Sequence, residues 1–282
     1  MADTGYRIGD LALSARERKP AGRPRGIILA LHGGGYGAGY WDFPPTSLLD
    51  VAAERGHLGV AIDRPGYGAA FDRPMPLAEQ AAVILDLAEM LRAREGGVPL
   101  LLAGHSMGGV LALVAAALPR AAESVTAIDA CGVPLRYADA MQAALDARRL
   151  GAGETHFPAL GDAQARHAFF GADADFDPAA LTYDARLRVP VPGAELPDAA
   201  NAPRDLPARM RAIALPVRLT FAAAEASSIA SAEVAATARG QWIASPRSVV
   251  RFEPDTGHNI SLHHVGRAFH HAMIDWLEDS TA

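Results

Sequence analysis

Ser106 stands at the centre of Gly-His-Ser-Met-Gly, residues 104–108, with one apolar run before it and another after it. A serine hydroxyl is a weak nucleophile and turns reactive only beside a positioned base, itself oriented by an acid. Small residues two positions to either side allow a sharp strand-to-helix turn that lifts the middle side chain clear of the backbone. The chemistry this suits is attack on a carbonyl carbon to form an acyl intermediate. His258, in "TGHN", is the candidate base, since it falls between the last strand-like run and the last helix-like run. Three carboxylates compete to be the acid. Glu225 follows the run "PVRLTF", Asp129 ends the run "SVTAID", and Asp255 lies three residues before His258.

Glycines directly after a strand leave backbone N–H groups open to a substrate. "LHGGGYG", Leu31–Gly37, is such a stretch. An amide from Gly34, with Gly33 or Gly35 as equivalents, would join the amide of Met107 as a two-donor oxyanion hole. A phosphate-binding loop is the competing reading. No G-x-x-x-x-G-K-[ST] occurs, however, and the glycines do not fit a dinucleotide fingerprint with its acidic residue in register.

The elements that must carry these residues alternate. Strand-like runs at Gly26–His32, Leu58–Asp63, Val98–Gly104 and Ser124–Ala130 are separated by helical patterns at Ser47–Gly56, Leu77–Gly97 and Met107–Leu118. Continuous apolar strands interleaved with amphipathic helices imply a mostly parallel, doubly wound α/β sheet, whose sites lie at the carboxyl ends of the strands. The alternation lapses over residues 131–211, which are rich in Pro, Asp, Arg and Ala, with scattered aromatics and no convincing strand. It resumes with Leu215–Glu225, a helix around Ala232–Ala238, Arg247–Glu253, and a closing helix from about Ser261 to Glu278 that would carry His263, His264, His270 and His271 as surface or packing residues. The expected organisation is a core of residues 1–130 and 212–282 with a helical cap or lid inserted at 131–211.

Composition narrows the class. With 282 residues, half of them hydrophobic, the chain can bury a sizeable core. A net charge of −6 with both signs interspersed provides neither a basic stripe for nucleic acid nor a polybasic membrane patch. One cysteine, Cys131, permits no intrachain disulfide and no cysteine-based zinc site. The first ten residues lack the charged and apolar regions of a secretory signal, and no apolar run is long enough to span a bilayer. The expectation is a cytoplasmic protein with a small-molecule substrate, no metal and no cofactor, and with a homodimer left open.

Taken together, "LHGGG", "DRPGYG" (Asp63–Gly68), "GHSMGG" and the final "GHN" resemble the α/β-hydrolase superfamily over nearly the whole chain. The resemblance implies Ser106 as nucleophile, His258 as base, Met107 and Gly34 as oxyanion donors, and an acid after the strand ending at Phe221. That favours Glu225, although aspartate is commoner there. The insertion matches the family's cap in place. Leu135, Tyr137, Met141, Phe157, Phe169 and Phe170 would roof a pocket or pack the cap onto the core. Tyr36, Tyr40, Trp41 and His105 are candidates for its wall. Arg148, Arg149, Arg166 and Arg186 read as solvated surface, with attraction of an acidic substrate as the alternative. The expected activity is hydrolysis of an ester or thioester. Acyl transfer, cyclisation, carbon–carbon hydrolysis and lyase chemistry are alternatives, as is a ligand receptor without turnover.

Overall fold

The computed structural model describes residues 3–171, 176–245 and 247–281. Its sheet is built on β3 (Ile27–Leu31), β4 (Leu58–Ile62), β5 (Leu100–His105), β6 (Ala127–Cys131) and β9 (Val217–Ala222), in which every residue is buried. A strand covered on both faces cannot alternate apolar with polar, which is why these segments read as continuous apolar runs. Successive side chains serve opposite faces: Ile27, Leu29 and Leu31 enter one core, Ile28 and Ala30 the other.

Two strands precede these, β1 (Asp3–Ile8) and β2 (Leu11–Arg18), paired antiparallel. Sequence reading missed them. Leu11, Leu13 and Ala15 of β2 are buried while the residues between are only partly covered, a two-residue period visible in hindsight. With β10 (Val249–Glu253) the sheet has eight strands in the order β1-β2-β4-β3-β5-β6-β9-β10, and every pairing from β4 to β10 is parallel. Helices cover both faces. On one side lie α2 (Leu77–Arg94), α3 (Met107–Ala116) and α9 (Ala232–Gln241); on the other lie α1 (Leu48–Glu54) and α10 (Gly266–Thr281). A short α4 (Ala121–Ser124) leads into β6. This is the expected mostly parallel α/β sheet. α10 begins later than its periodicity suggests, so His263 and His264 precede it.

Between β6 and β9 the chain forms α5 (Asp139–Ala147), β7 (His156–Phe157), α6 (Asp162–Phe170), α7 (Pro178–Leu187), β8 (Val191–Pro192) and α8 (Leu196–Ala212). β7 and β8 pair antiparallel over two residues each, a ladder too short to leave a pattern in the sequence. α8 contains Pro203 and Pro207, each lacking the N–H that a helix interior uses. It holds because Ala202, Leu206 and Met210 are buried in the core that includes the residues of α3. Helical propensity here is overruled by packing.

Candidate active site

Ser106 occupies the turn between β5 and α3 at φ 54° and ψ −121°, a backbone conformation that costs a non-glycine residue about 1–3 kcal/mol. The turn is tight enough to exclude side chains on both flanks. A Cβ on Gly104 would lie 2.3 Å from the Gly108 carbonyl oxygen, and one on Gly108 would lie 2.2 Å from that of Leu31. The Ser106 amide is anchored to the Cys131 carbonyl at 2.8 Å, and the side chain faces a cavity of about 530 Å³.

His258 opens onto the same cavity from the loop between β10 and α10. Its Nδ1 lies 2.8 and 2.9 Å from the two carboxylate oxygens of Glu225. The carboxylate favours the tautomer with the proton on Nδ1, and in the neutral imidazole Nε2 then holds the lone pair that a general base requires. Glu225 is almost wholly buried and takes a second hydrogen bond from the Ser227 hydroxyl. The loops bearing the acid and the base are joined by their backbones. The amides of Ala223 and Ala224 donate to the carbonyls of Glu253 and Thr256, each at 2.9 Å.

The other two carboxylates do not reach the imidazole. Asp129 is fully buried and paired with the Arg218 guanidinium, and burial pushes its pKa up from the ordinary aspartate value. Asp255 is exposed, in a turn at φ 54°.

The two amides expected as oxyanion donors lie at the cavity. That of Met107 is the first of α3, where no intrahelical carbonyl is available to it. Gly34 borders the cavity beside Met107, an added Cβ lying 3.5 Å from the Met107 Cγ. Gly35 is not equivalent: its amide donates to the Tyr67 hydroxyl at 3.3 Å. His32, which sequence reading passed over, holds this loop. Its Nδ1 donates to the Gly33 carbonyl at 2.7 Å and its Nε2 accepts from the Arg64 amide at 3.1 Å. Full burial, with the Arg64 charge adding to it, keeps the imidazole pKa well below its usual value, so it stays neutral and both bonds persist.

Several expected wall residues lie elsewhere. His105 is fully buried, stacked on Tyr40 at 4.3 Å and donating from Nε2 to the His258 carbonyl at 3.0 Å. As the residue before the turn it points into the core, where it supports the histidine loop. Tyr36 is also buried. Its hydroxyl donates to Asp184 at 2.6 Å and accepts from the Asn259 amide group at 2.9 Å, tying the glycine loop, α7 and the histidine loop together. Tyr40, Trp41 and Phe170 are wholly enclosed, and Leu135 is partly buried against the core. Tyr137, Met141, Phe157 and Phe169 do line the cavity, and the Phe169 ring stacks on His258 at 5.6 Å. Of the two alternatives for His263, surface or packing, the fold takes packing: it is buried, its Nδ1 donates to the Asn259 carbonyl at 2.9 Å and its Nε2 accepts from the Gly257 amide at 3.1 Å. That bracing had no local signal beyond a histidine near "GHN".

Among the described residues no group of three His, Cys, Asp or Glu side chains is placed to hold a metal ion. No helix among them is long and apolar enough to cross a membrane.

A model of the alpha/beta hydrolase family matches residues 28–271. No curated protein matches the chain. Solved structures share its fold at low identity. A thermostable carboxyl esterase from Bacillus coagulans superposes with a TM-score of 0.75 at 15% identity, covering 100% of this chain and 99% of that one. A soluble variant of the monoglyceride lipase from Saccharomyces cerevisiae gives 0.73 at 13% identity, with 100% and 96% covered. The Paleococcus ferrophilus monoacylglycerol lipase gives 0.71 at 19% identity, with 95% and 99% covered.

Proposed function

The chain belongs to the alpha/beta hydrolase family, and on that premise we propose that it hydrolyses a carboxylic ester or thioester through an acyl-enzyme on Ser106. The observation that carries the reading is the buried Glu225 carboxylate holding Nδ1 of His258, an imidazole that shares one cavity with Ser106. The esterase and lipases of similar fold agree with it.

In this reading Nε2 of His258 takes the Ser106 proton as Oγ bonds to the substrate carbonyl carbon. Glu225 stabilises the imidazolium and fixes the ring. The amides of Met107 and Gly34 receive the negative charge on the carbonyl oxygen, where one such donor is worth about 3–4 kcal/mol. The tetrahedral adduct collapses, and the alcohol or thiol leaves with the proton from His258. Water then repeats the sequence: His258 removes its proton, the hydroxyl adds to the acyl carbon, and Ser106 departs reprotonated. Residues 131–211 act as the lid, supplying the apolar wall from Tyr137, Met141, Phe157 and Phe169.

The test is labelling by a fluorophosphonate together with turnover of p-nitrophenyl esters of graded chain length and of acyl-CoA thioesters. Wild type should label and release product. Labelling that persists in Ser106→Ala overturns the nucleophile assignment, and labelling without turnover of any ester or thioester overturns hydrolysis.

A further inference from the structure

Three charged residues line the cavity above Ser106: Glu195, Arg188 and Arg148. Two of them are neutralised within the fold. Glu195 is enclosed by the Arg64 guanidinium, which reaches both its oxygens, by Gln80 at 2.8 Å and by the Tyr67 hydroxyl at 3.2 Å. Arg188 is paired with Asp162 and, at 3.1 Å, with Asp184.

Arg148 differs. It follows α5, its guanidinium carbon lies 4.4 Å over the centre of the Phe157 ring, and Phe157 also borders the cavity. Among the described residues no carboxylate pairs with it and no carbonyl accepts from it. Burial pulls its pKa somewhat below the ordinary arginine value, and no neighbouring charge offsets this. A guanidinium remains fully protonated under these conditions. The neighbouring Arg149 is exposed and donates to the carbonyls of Asp146 and Arg148, at 2.6 and 2.7 Å. One of two adjacent arginines is thus partnered at the surface, while the other is held by an aromatic face at the wall of a mostly apolar chamber.

A half-buried cation without a counter-ion is unfavourable unless something brings the opposite charge. We propose that Arg148 supplies it with a carboxylate belonging to the substrate, so that the favoured substrates are half-esters or half-thioesters of dicarboxylic acids. A singly charged carboxylate balances one guanidinium and can accept two of its N–H groups side by side. A phosphate dianion would leave net negative charge in a mostly apolar chamber whose other charged residues are already paired. The inference rests on the hydrolase reading for its reaction, but the anion site stands on Arg148 and its surroundings.

The experiment compares monoethyl esters of five- to eight-carbon dicarboxylic acids with ethyl esters of the uncharged monocarboxylic acids of equal length. The readout is the ratio of kcat/KM for charged over neutral ester. Wild type should favour the charged series. The ratio should fall about tenfold in Arg148→Gln, the scale of one lost charge-assisted hydrogen bond, and Arg148→Lys should lie between. It should also fall as salt rises from about 50 to about 500 mM. Arg149→Gln should leave it unchanged. Hexanedioate should bind Ser106→Ala in calorimetry, and about tenfold more weakly once Arg148→Gln is added. An unchanged ratio in Arg148→Gln, or an equal fall in Arg149→Gln, overturns the proposal. Neutral esters turned over with no preference for charge would sink the anion site while sparing the hydrolase reading. Hexanedioate binding that depends on Arg148 in a protein that cleaves no ester would do the reverse.

Discussion

Asp129 and Glu225 are both buried carboxylates at neighbouring strands of one sheet, yet each has a different partner. Asp129 lies within β6, where the pleat turns it onto the sheet face under α10 and into a pair with Arg218. Glu225 lies beyond the end of β9, where the chain has left the ladder and the side chain reaches sideways to His258. Arg218 sits over the Phe269 ring, Trp276 donates to the Ile128 carbonyl at 3.0 Å, and Asp129 is not among the residues that border the Ser106 cavity. Burial alone does not make a carboxylate catalytic. What separates the two is the partner: a guanidinium for Asp129, and for Glu225 an imidazole that the proposed reaction would protonate and release.

Substitutions at the two carboxylates should therefore fail in opposite ways. The largest expected effect is at the Glu225 end. Glu225→Gln presents an amide to Nδ1, favours the wrong tautomer of His258, and should lower kcat by about 10⁴-fold with the chemical-denaturation midpoint little changed. A kcat within tenfold of wild type would break the comparison. Asp129→Asn should do the reverse. Leaving Arg218 buried without its counter-ion should cost about 3–5 kcal/mol of stability, read from urea melts, with fluorophosphonate labelling retained at temperatures where the variant is folded. The double variant Asp129→Asn, Arg218→Met should recover much of that loss, since no uncompensated charge remains.

A smaller effect concerns His270, buried on α10 beside Ser261 at 3.0 Å and also sensing the Arg218 charge. Burial lowers its pKa from 6.5 to about 3. The unfolded chain takes up this proton near pH 6.5 and the folded chain refuses it until about pH 3, so stability falls with acidification across that window, by up to about 1.4 kcal/mol per pH unit. His270→Gln should be less stable at pH 7 but lose less stability between pH 6 and pH 4 in urea melts. An identical pH slope in variant and wild type would show the histidine to be charged in the fold. The smallest effect expected is at Tyr36→Phe, which removes the hydroxyl shared by Asp184 and Asn259 and should cost about 1 kcal/mol. Its sharper readout is a lower kcat at unchanged KM, because Asn259 follows His258 directly.

The tight turn at Ser106 was legible because its requirement is local: Gly104 and Gly108 are demanded by backbone atoms a few ångströms away, and composition records that directly. The buried strands were legible for the same reason, as apolar runs of strand length. β1, the edge strand, and β2 beside it were not read, being only partly buried, with a short alternation and arginine or glutamate at polar positions. His105 and Tyr36 were placed on the wrong side of the wall, because distance along the chain from Ser106 or a glycine loop says nothing about which way a side chain turns.

The amino-acid order alone determined the α/β sheet, the position of the strained serine and the histidine that follows the last strand. These depend on local sterics and on periodic burial, which a linear pattern preserves. Which carboxylate meets the imidazole, which glycine amide the Tyr67 hydroxyl takes and which of the arginines at the cavity pairs with carboxylates were decided only by the folded chain. Each is settled by competition among groups that the fold brings together, most of them tens of residues apart: Arg218 claims Asp129, the Tyr67 hydroxyl claims Gly35, and Asp162 with Asp184 claims Arg188. A hydrogen bond or an ion pair is exclusive, and the winner is known only once every competitor has its place in space.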